Sequence, residues 1–247
     1  TAGEEELCES VMNTKILGAY ADSIEIPRHI VDRNCYKKPP GLSYRAAAFL
    51  EPLACVVHSL SFLAAKSGST VAVLGDGGFG LLHALLLQID GLHAVLVGRR
   101  AERIQLAEKL GVGSIIDARS QDVRANLQSL TSGRGVDALI ECTGREDVWE
   151  SAPSLVRRGG IVSFFGGLPG GAKVSFLAAR MHYDEVRLIS PFHFTTTAVR
   201  KAYEILAAEK LNVEALISEK FALASIAQAF TRLDSGEGIK FAIEPVE

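Results

Sequence analysis

Three absences limit what this chain of 247 residues can be. It has no run of basic residues interleaved with aromatic ones, and its net charge is −3, so no nucleic-acid partner is expected. It has no uncharged apolar stretch of about 18 residues, so no membrane partner is expected. Its four cysteines are scattered and form no Cys-x-x-Cys pair. A disulfide framework is therefore disfavoured, and a reducing, cytoplasmic location is expected.

The N-terminus lacks two further features. The segment from Thr1 to Glu6 is polar and acidic, without the hydrophobic region of a signal peptide. It also has no initiator methionine. We therefore expect a fragment or a processed product of a longer protein.

From Ser67 onward, short β-branched runs alternate with helical patterns. The predicted strands cover residues 70–74, 93–97, 114–116, 136–141, 161–165 and 186–190. The predicted helices cover residues 78–89, 101–110, 121–130, 147–156 and 197–208. Continuously apolar strands that alternate with helices indicate a parallel sheet covered on both faces. The pattern therefore predicts an α/β fold with a doubly wound, six-stranded Rossmann sheet.

Outside this pattern, three shorter segments carry local signals. The alternation in Ile24-Glu25-Ile26 predicts a strand that Pro27 ends, and residues 43–66 are predicted to be helical. A break in this helix is expected at Glu51-Pro52, because a residue before proline is disfavoured in helical conformation. Residues 157–160, Arg-Arg-Gly-Gly, are expected to close the helix before the fifth strand.

A glycine-rich segment, Gly75-Asp76-Gly77-Gly78-Phe79-Gly80, joins a predicted strand to a predicted helix. This context is what the Gly-x-Gly-x-x-Gly fingerprint of dinucleotide binding requires. Gly75 allows a tight turn, Gly77 lets the backbone approach a pyrophosphate, and Gly80 lets the helix pack against the strand. Free N–H groups at the helix N-terminus favour phosphates. The alternative is a glycine-rich turn that binds no ligand.

The residues after the second strand indicate which dinucleotide is bound. An acidic residue there binds the ribose 2′-hydroxyl of NAD(H), whereas arginine accommodates the 2′-phosphate of NADP(H). The strand ends in Gly98-Arg99-Arg100, without a carboxylate, and Arg103 lies one helical turn further on. Guanidinium groups bind phosphate in a fork geometry. The sequence therefore favours NADP(H) over NAD(H), and a solvated helix start is the alternative role of these arginines.

Together with the glycine loop, several short motifs resemble one family, the zinc-containing medium-chain dehydrogenases, which include alcohol, sorbitol and threonine dehydrogenases. The motifs are Glu51-Pro52-Leu53-Ala54-Cys55, Gly18-Ala19-Tyr20-Ala21, Glu141-Cys142-Thr143-Gly144, Phe165-Gly166-Gly167 and Gly238-Ile239-Lys240. The resemblance covers essentially the whole chain, which matches the last two-thirds of family members. It implies that most of a GroES-like catalytic barrel, with its zinc-binding cysteine and Gly-His-Glu motif, is missing.

The resemblance also implies a domain organisation. Residues 1–66 are expected to be a remnant of the GroES-like catalytic domain, and residues 67–210 to form the dinucleotide-binding Rossmann domain. Residues 211–247 are expected to return to the catalytic domain. Family members commonly assemble through the sixth strand, so a homodimer or homotetramer is expected.

The resemblance assigns metal roles to two residues. Glu51 matches the carboxylate that the family places at or near the catalytic zinc, which keeps an open position for substrate. A helix-capping or loop carboxylate is the alternative role. Cys8 matches the last of four cysteines that bind a structural zinc, and one cysteine cannot hold a tetrahedral zinc. We therefore expect zinc in the full-length protein and none in this chain.

The resemblance further implies which residues line the nicotinamide. These are Thr143, Gly144, Phe165, Gly166, Ser190, Pro191 and Phe192, which follow predicted strands. Ligands of doubly wound sheets bind at the carboxyl ends of strands. An ordinary turn is the alternative for Thr143 and Gly144.

These observations give one leading hypothesis and two alternatives. The leading one is a zinc-dependent oxidoreductase that transfers a hydride between NADP(H) and an alcohol or polyol, inactive as this chain. A zinc-free quinone or enoyl-type reductase of the same superfamily is the second hypothesis. A non-catalytic nucleotide-binding module is the third.

Overall fold

A computed structural model describes residues 20–245, except for the side chains of residues 33 and 34. The chain divides into two compact units. One is Val56–Phe192, and the other combines the described residues up to Cys55 with those from His193 onward. The functional division at residues 66/67 and 210/211 stays a prediction.

The helices and strands are numbered in chain order. The helices are α1 (Arg28–Asn34), α2 (Tyr44–Ala47), α3 (Leu50–Ser61), α4 (Gly78–Ile89), α5 (Ala101–Lys109), α6 (Val123–Leu130), α7 (Glu146–Ser151), α8 (Ala178–His182), α9 (Thr196–Ala207) and α10 (Ile226–Asp234). The strands are β1 (Thr70–Leu74), β2 (His93–Gly98), β3 (Ser114–Asp117), β4 (Val136–Glu141), β5 (Val156–Phe164), β6 (Arg187–Ile189), β7 (Ile217–Ala222) and β8 (Lys240–Glu244). Within the described range, no helix is long and apolar enough to cross a membrane.

Six strands form one parallel sheet in the unit Val56–Phe192. Their order is β3-β2-β1-β4-β5-β6, so the direction of winding reverses between β1 and β4. The predicted doubly wound Rossmann sheet is therefore confirmed. Ligands of such sheets bind outside the carboxyl ends of the strands at this reversal.

The sheet is apolar on both faces. The side chains of Val71, Ala72 and Val73 in β1 are fully buried, although they alternate between the two faces. In α4, every residue from Gly80 to Leu87 is buried, so this helix is covered on all sides. Burial on both faces fixes the carboxyl ends of β1, β2 and β4 relative to one another, and these ends surround the site described below.

Three local predictions are wrong. Ile24-Glu25-Ile26 forms no strand. The helix break precedes Glu51-Pro52, because α3 begins at Leu50 and proline is tolerated in a first helical turn. Residues 157–160 belong to β5, where a register shift against β4 and a positive φ at Gly159 accommodate an irregular strand.

The other unit contains a separate two-stranded sheet. In it, β7 and β8 pair in parallel, and Phe221 and Phe241 pack together with a centroid distance of 5.1 Å. Glu214 accepts a hydrogen bond from the Ser43 hydroxyl, and Arg45 forms ion pairs with Glu214 (3.3 Å) and Glu244 (2.8 Å). These contacts join chain segments that are distant in sequence. That this unit is a remnant of a GroES-like barrel stays a prediction.

Candidate functional site

The glycine loop forms a tight strand-to-helix turn between β1 and α4. Gly75 has a φ of +117°, a conformation that favours glycine. A Cβ atom on Gly80 would lie 1.8 Å from the carbonyl oxygen of Gly75, so only glycine fits there. Gly77 is the N-cap of α4 and has no capping side chain. The first N–H groups of the 12-residue helix α4 therefore face the turn without a side-chain acceptor from the N-cap residue.

A cavity of about 770 Å³ opens beside this turn, at the carboxyl ends of β1 to β4. Its size suits part of a nucleotide. The residues that line it lie in three groups: the glycine loop, the end of β2, and the segments after β3 and β4. They are Leu74, Gly75, Asp76, Gly77, Val97, Gly98, Arg99, Arg100, Arg103, Ala118, Asp122, Val123, Arg124, Cys142, Thr143, Arg145, Val148, Ser151, Ser154 and Leu155. The structure thus brings together most of the residues predicted from the glycine loop and the end of β2.

A carboxylate lies at the end of β2, but it comes from the glycine loop. One oxygen of Asp76 accepts hydrogen bonds of 2.7 Å from the backbone N–H groups of both Arg99 and Arg100. Its other oxygen lies 3.8 Å from a guanidinium nitrogen of Arg103. The interpretation that no carboxylate lies at this position is therefore wrong, because it considered only residues that follow β2 in sequence.

The cavity is rich in positive charge. Five arginines and two aspartates line it. The two aspartates have structural partners, since Asp122 caps α6 through the N–H of Ala125 and Asp76 holds the end of β2. Burial, and then the charge of Arg100, lower the pKa of the Arg103 guanidinium, which shows that cationic groups crowd together here. Such a lining favours an anionic ligand.

Sequence reasoning missed the cavity wall that follows β3 and β4. It includes Arg124, which donates to the carbonyl oxygen of Ser154 at 2.9 Å, and Arg145, which pairs with Asp147 at 3.0 Å. Arg145 follows β4 by only a few residues, so the rule that ligands bind at strand ends could have found it. Arg124 lies in α6, and nothing in its sequence context indicates the contact.

Glu141, the last residue of β4, organises the turn that follows. Its fully buried carboxylate accepts hydrogen bonds from the N–H of Thr143 (2.6 Å), from the Thr143 hydroxyl and from the N–H of Gly144 (3.2 Å). Burial raises the pKa of this carboxyl group, and the hydrogen bonds only partly oppose the rise. Glu141 therefore positions Thr143, which lines the cavity, and Gly144, which does not.

The residues predicted to line the nicotinamide lie after β4, β5 and β6. Phe165 packs against Phe79, with ring centroids 5.0 Å apart, and against the buried His83 at 4.7 Å. A Cβ atom on Gly166 would lie 2.5 Å from the backbone nitrogen of Gly144, so the two turns are in direct contact. Ser190, Pro191 and Phe192 follow β6 and are not part of the cavity lining. Contact of these residues with a nicotinamide stays a prediction.

Glu51 lies in the first turn of α3 and is exposed. Its carboxylate accepts a hydrogen bond of 3.3 Å from the thiol of Cys55. Burial, followed by the charge of Glu51, raises the pKa of this thiol to about 12, so Cys55 is a protonated donor at neutral pH. Across residues 20–245, no group of three histidine, cysteine or acidic side chains is arranged to hold a metal ion. Cys8 lies outside the described residues.

Comparison with known proteins gives related curated sequences. Sorbitol dehydrogenase of Halalkalibacterium halodurans is 26% identical over 251 residues, covering 100% of this chain and 72% of the relative. Sorbitol dehydrogenase of Bacillus subtilis is 27% identical, covering 93% of this chain and 65% of the relative. The chain therefore spans about two thirds of the length of these relatives.

Solved structures share the fold. A Sinorhizobium meliloti protein, described as a zinc-binding dehydrogenase and solved with NADP, has a TM-score of 0.79 and 29% identity, covering 85% of this chain and 62% of the other. Alcohol dehydrogenase from Thermus sp. ATN1 has a TM-score of 0.82 at 24% identity, over 93% of this chain and 67% of the other. The latter likeness shows the fold alone.

A family model described as zinc-binding dehydrogenase matches residues 78–209, which is more than half of the chain. The match begins at the first residue of α4 and ends just after α9. It therefore contains the arginines after β2 and the turns after β4 and β5. The resemblance found in the sequence motifs is confirmed, and the chain belongs to the zinc-binding dehydrogenase family.

Proposed function

We propose that this chain is the NADP(H)-binding part of a zinc-dependent dehydrogenase that acts on alcohols or polyols. One observation carries the choice of cofactor: Arg99, Arg100 and Arg103 line the cavity at the end of β2. The carboxylate of Asp76 at this position already accepts two backbone hydrogen bonds and faces Arg103. It is thereby less available to a ribose diol.

Each part of the cavity has a separate binding role in this proposal. The glycine loop and the N-terminus of α4 bind the pyrophosphate through backbone N–H groups and the helix dipole. Arg99 and Arg100 bind the 2′-phosphate. Phe79 and Phe165, which pack against each other outside the cavity lining, limit access of water to the nicotinamide. The cofactor supplies a carbon that accepts or donates a hydride. Gly80 supports the assignment of this turn to pyrophosphate binding, because even a methyl group at this position would clash with the carbonyl oxygen of Gly75.

Relatives support the substrate class. The similar proteins include five sorbitol dehydrogenases, a D-arabitol-phosphate dehydrogenase and a D-arabinitol dehydrogenase. Among the described residues, no group of three histidine, cysteine or acidic side chains could hold a metal ion, and Glu51 accepts a hydrogen bond from the thiol of Cys55. We therefore propose Glu51 as a zinc ligand or a neighbour of zinc only together with ligands from the family's N-terminal region.

Reversing one charge at the end of β2 tests the cofactor. Arg99→Asp is expected to weaken NADPH binding about 10- to 100-fold, because a charge-assisted hydrogen bond to phosphate contributes about 1.5–3 kcal/mol. Binding of NADH should change little or improve. Fluorescence titration with both nucleotides measures the two dissociation constants.

A matched control separates local recognition from net charge. Lys109→Asp makes the same charge change at the other end of α5, on an exposed residue outside the cavity. It should leave the ratio of the two dissociation constants within about two-fold, since exposed charges more than about 10 Å apart are largely screened at ordinary salt. Tighter binding of NADH than of NADPH by the unaltered chain would overturn the NADP(H) assignment.

The reaction needs a separate test on the full-length gene product. Oxidation of sorbitol that is lost on chelation and restored by zinc supports the proposal. Full activity after metal removal would instead indicate a zinc-free reductase, and tight nucleotide binding without turnover would indicate a binding module. Sedimentation velocity would test the predicted homodimer or homotetramer.

A further inference from the structure

Two residues that are distant in sequence compete for one position at the end of β2. A Cβ atom added to Gly98 would lie 2.9 Å from a carboxylate oxygen of Asp76 and 3.0 Å from the Asp76 Cβ. Real Cβ atoms hardly ever approach other atoms this closely. The side chain of Asp76 thus fills the place from which a side chain of residue 98 would extend.

The carboxylate of Asp76 is held firmly in this place. Its side chain is only 10% exposed, and both of its hydrogen bonds to the backbone are 2.7 Å long. Hydrogen bonds to an ionised acceptor are stronger than neutral ones. The two N–H groups belong to Arg99 and Arg100, whose side chains line the cavity. Asp76 therefore fixes the main chain from which both arginines extend.

We propose that Asp76 is a positioning residue for cofactor specificity, which holds Arg99 and Arg100 in place and makes glycine necessary at position 98. This inference rests on the proposed NADP(H) function and deepens it. In most proteins of this fold, the acidic residue that hydrogen-bonds to the ribose lies at the end of β2 itself. Here the carboxylate is supplied by the glycine loop, and its hydrogen bonds are used to order the backbone.

One consequence concerns Gly98. Introducing an acidic residue at position 98 would place two carboxylates in contact and force Asp76 away from its backbone partners. Gly98→Asp alone is therefore expected to lose nucleotide binding and not to create a site for NAD(H). Asp76→Gly together with Gly98→Asp removes both close contacts of the added Cβ with Asp76 and leaves one of 3.1 Å to a side-chain carbon of Ile104.

Calorimetric titration of the full chain with 2′,5′-ADP and with 5′-AMP tests the positioning role. These probes differ in the 2′-phosphate and need only the cavity beside the glycine loop. Asp76→Ala is expected to lower the preference for 2′,5′-ADP at least 10-fold, whereas Asp76→Asn, which keeps an oxygen acceptor, should retain it within about three-fold. Asp90→Ala, the matched control at the exposed end of α4, should match the unaltered chain.

The outcomes separate this inference from the proposed function. If the unaltered chain does not prefer 2′,5′-ADP, the NADP(H) assignment fails. If it does, and Asp76→Ala keeps the same preference, only the positioning role fails. A selective loss of 5′-AMP binding in Asp76→Ala would show that Asp76 binds the ribose directly, and would overturn the positioning role.

A stability measurement tests the geometry without any ligand. Gly98→Ala is expected to lower the melting temperature, whereas Gly113→Ala, which meets only one atom at 3.9 Å, should not. Adding Asp76→Gly to Gly98→Ala should recover part of the loss, because residues in contact have non-additive effects. Strictly additive effects would contradict the competition for this position, even if Asp76→Ala proved too unstable to titrate.

Discussion

Gly80→Ala is expected to abolish nucleotide binding and to lower the free energy of unfolding by about 2–4 kcal/mol. Alanine in place of glycine normally stabilises a helix by about 1 kcal/mol, so the expected sign is the opposite of the usual one. The reason is the 1.8 Å separation between an added Cβ and the carbonyl oxygen of Gly75, a backbone atom that cannot turn away as a side chain would. The turn must open, and the N-terminus of α4 then leaves its position beside the cavity.

Urea denaturation and titration with NADPH measure the two effects of Gly80→Ala. The matched control is again Gly113→Ala, which makes the same chemical change where no backbone atom lies within 4 Å of the added Cβ. It should alter unfolding by less than about 0.5 kcal/mol. A Gly80→Ala protein that binds NADPH normally would show that the close packing of α4 on β1 is not needed for the site.

Glu141→Ala is also expected to lower the free energy of unfolding by about 2–4 kcal/mol. It removes a fully buried side chain and leaves the N–H groups of Thr143 and Gly144 without their acceptor. An unsatisfied buried donor costs about 1–3 kcal/mol, and exposure of Thr143 to water reduces this cost. The melting temperature should fall by about 2–4 °C for each kcal/mol, which differential scanning calorimetry measures. A fall of less than about 2 °C would contradict the proposed role of Glu141.

The pH dependence of stability gives Glu141 a second signature. Because burial raises its pKa above the unfolded value of 4.5, the folded chain holds this proton more tightly than the unfolded chain. The stabilisation is fully present below pH 4.5 and is lost as pH rises through the folded pKa. Glu141→Gln, which carries no charge at any pH, should lack this loss. The free energy of unfolding of both proteins is measured as a function of pH across this range. Parallel curves would mean that folding does not raise the pKa of Glu141.

Local patterns predicted much of the sheet. The predicted limits of β4 and α4 agree with the structure because β-branched runs, apolar helical periodicity and flanking glycines all lie within a few residues. The prediction fails at residues 157–160, which were expected to close the preceding helix and instead belong to β5. The strand continues through them because Val156 pairs with Val136 before them and Ile161 pairs with Ala138 and Arg187 after them. Only the tertiary structure reveals these partners.

The site was predictable where its chemistry follows the chain. Gly75, Gly77 and the arginines after β2 have recognisable spacings, and the structure places them together. Asp76 is part of the glycine motif that the sequence shows. No neighbouring residue indicates, however, that its carboxylate contacts the end of β2, 23 residues away in sequence. Contacts of this kind depend on how two parallel strands are aligned, which short-range patterns do not encode.

All residues that line the cavity fall between Leu74 and Leu155, inside the compact unit Val56–Phe192. A bound nucleotide therefore acts on the local unfolding equilibrium of one part of the chain. At a concentration 100 times its dissociation constant, a ligand stabilises the state that binds it by about 2.7 kcal/mol. Amide hydrogen exchange should then slow in β1, β2 and β4, which makes exchange protection a direct report of cofactor occupancy without any catalytic assay.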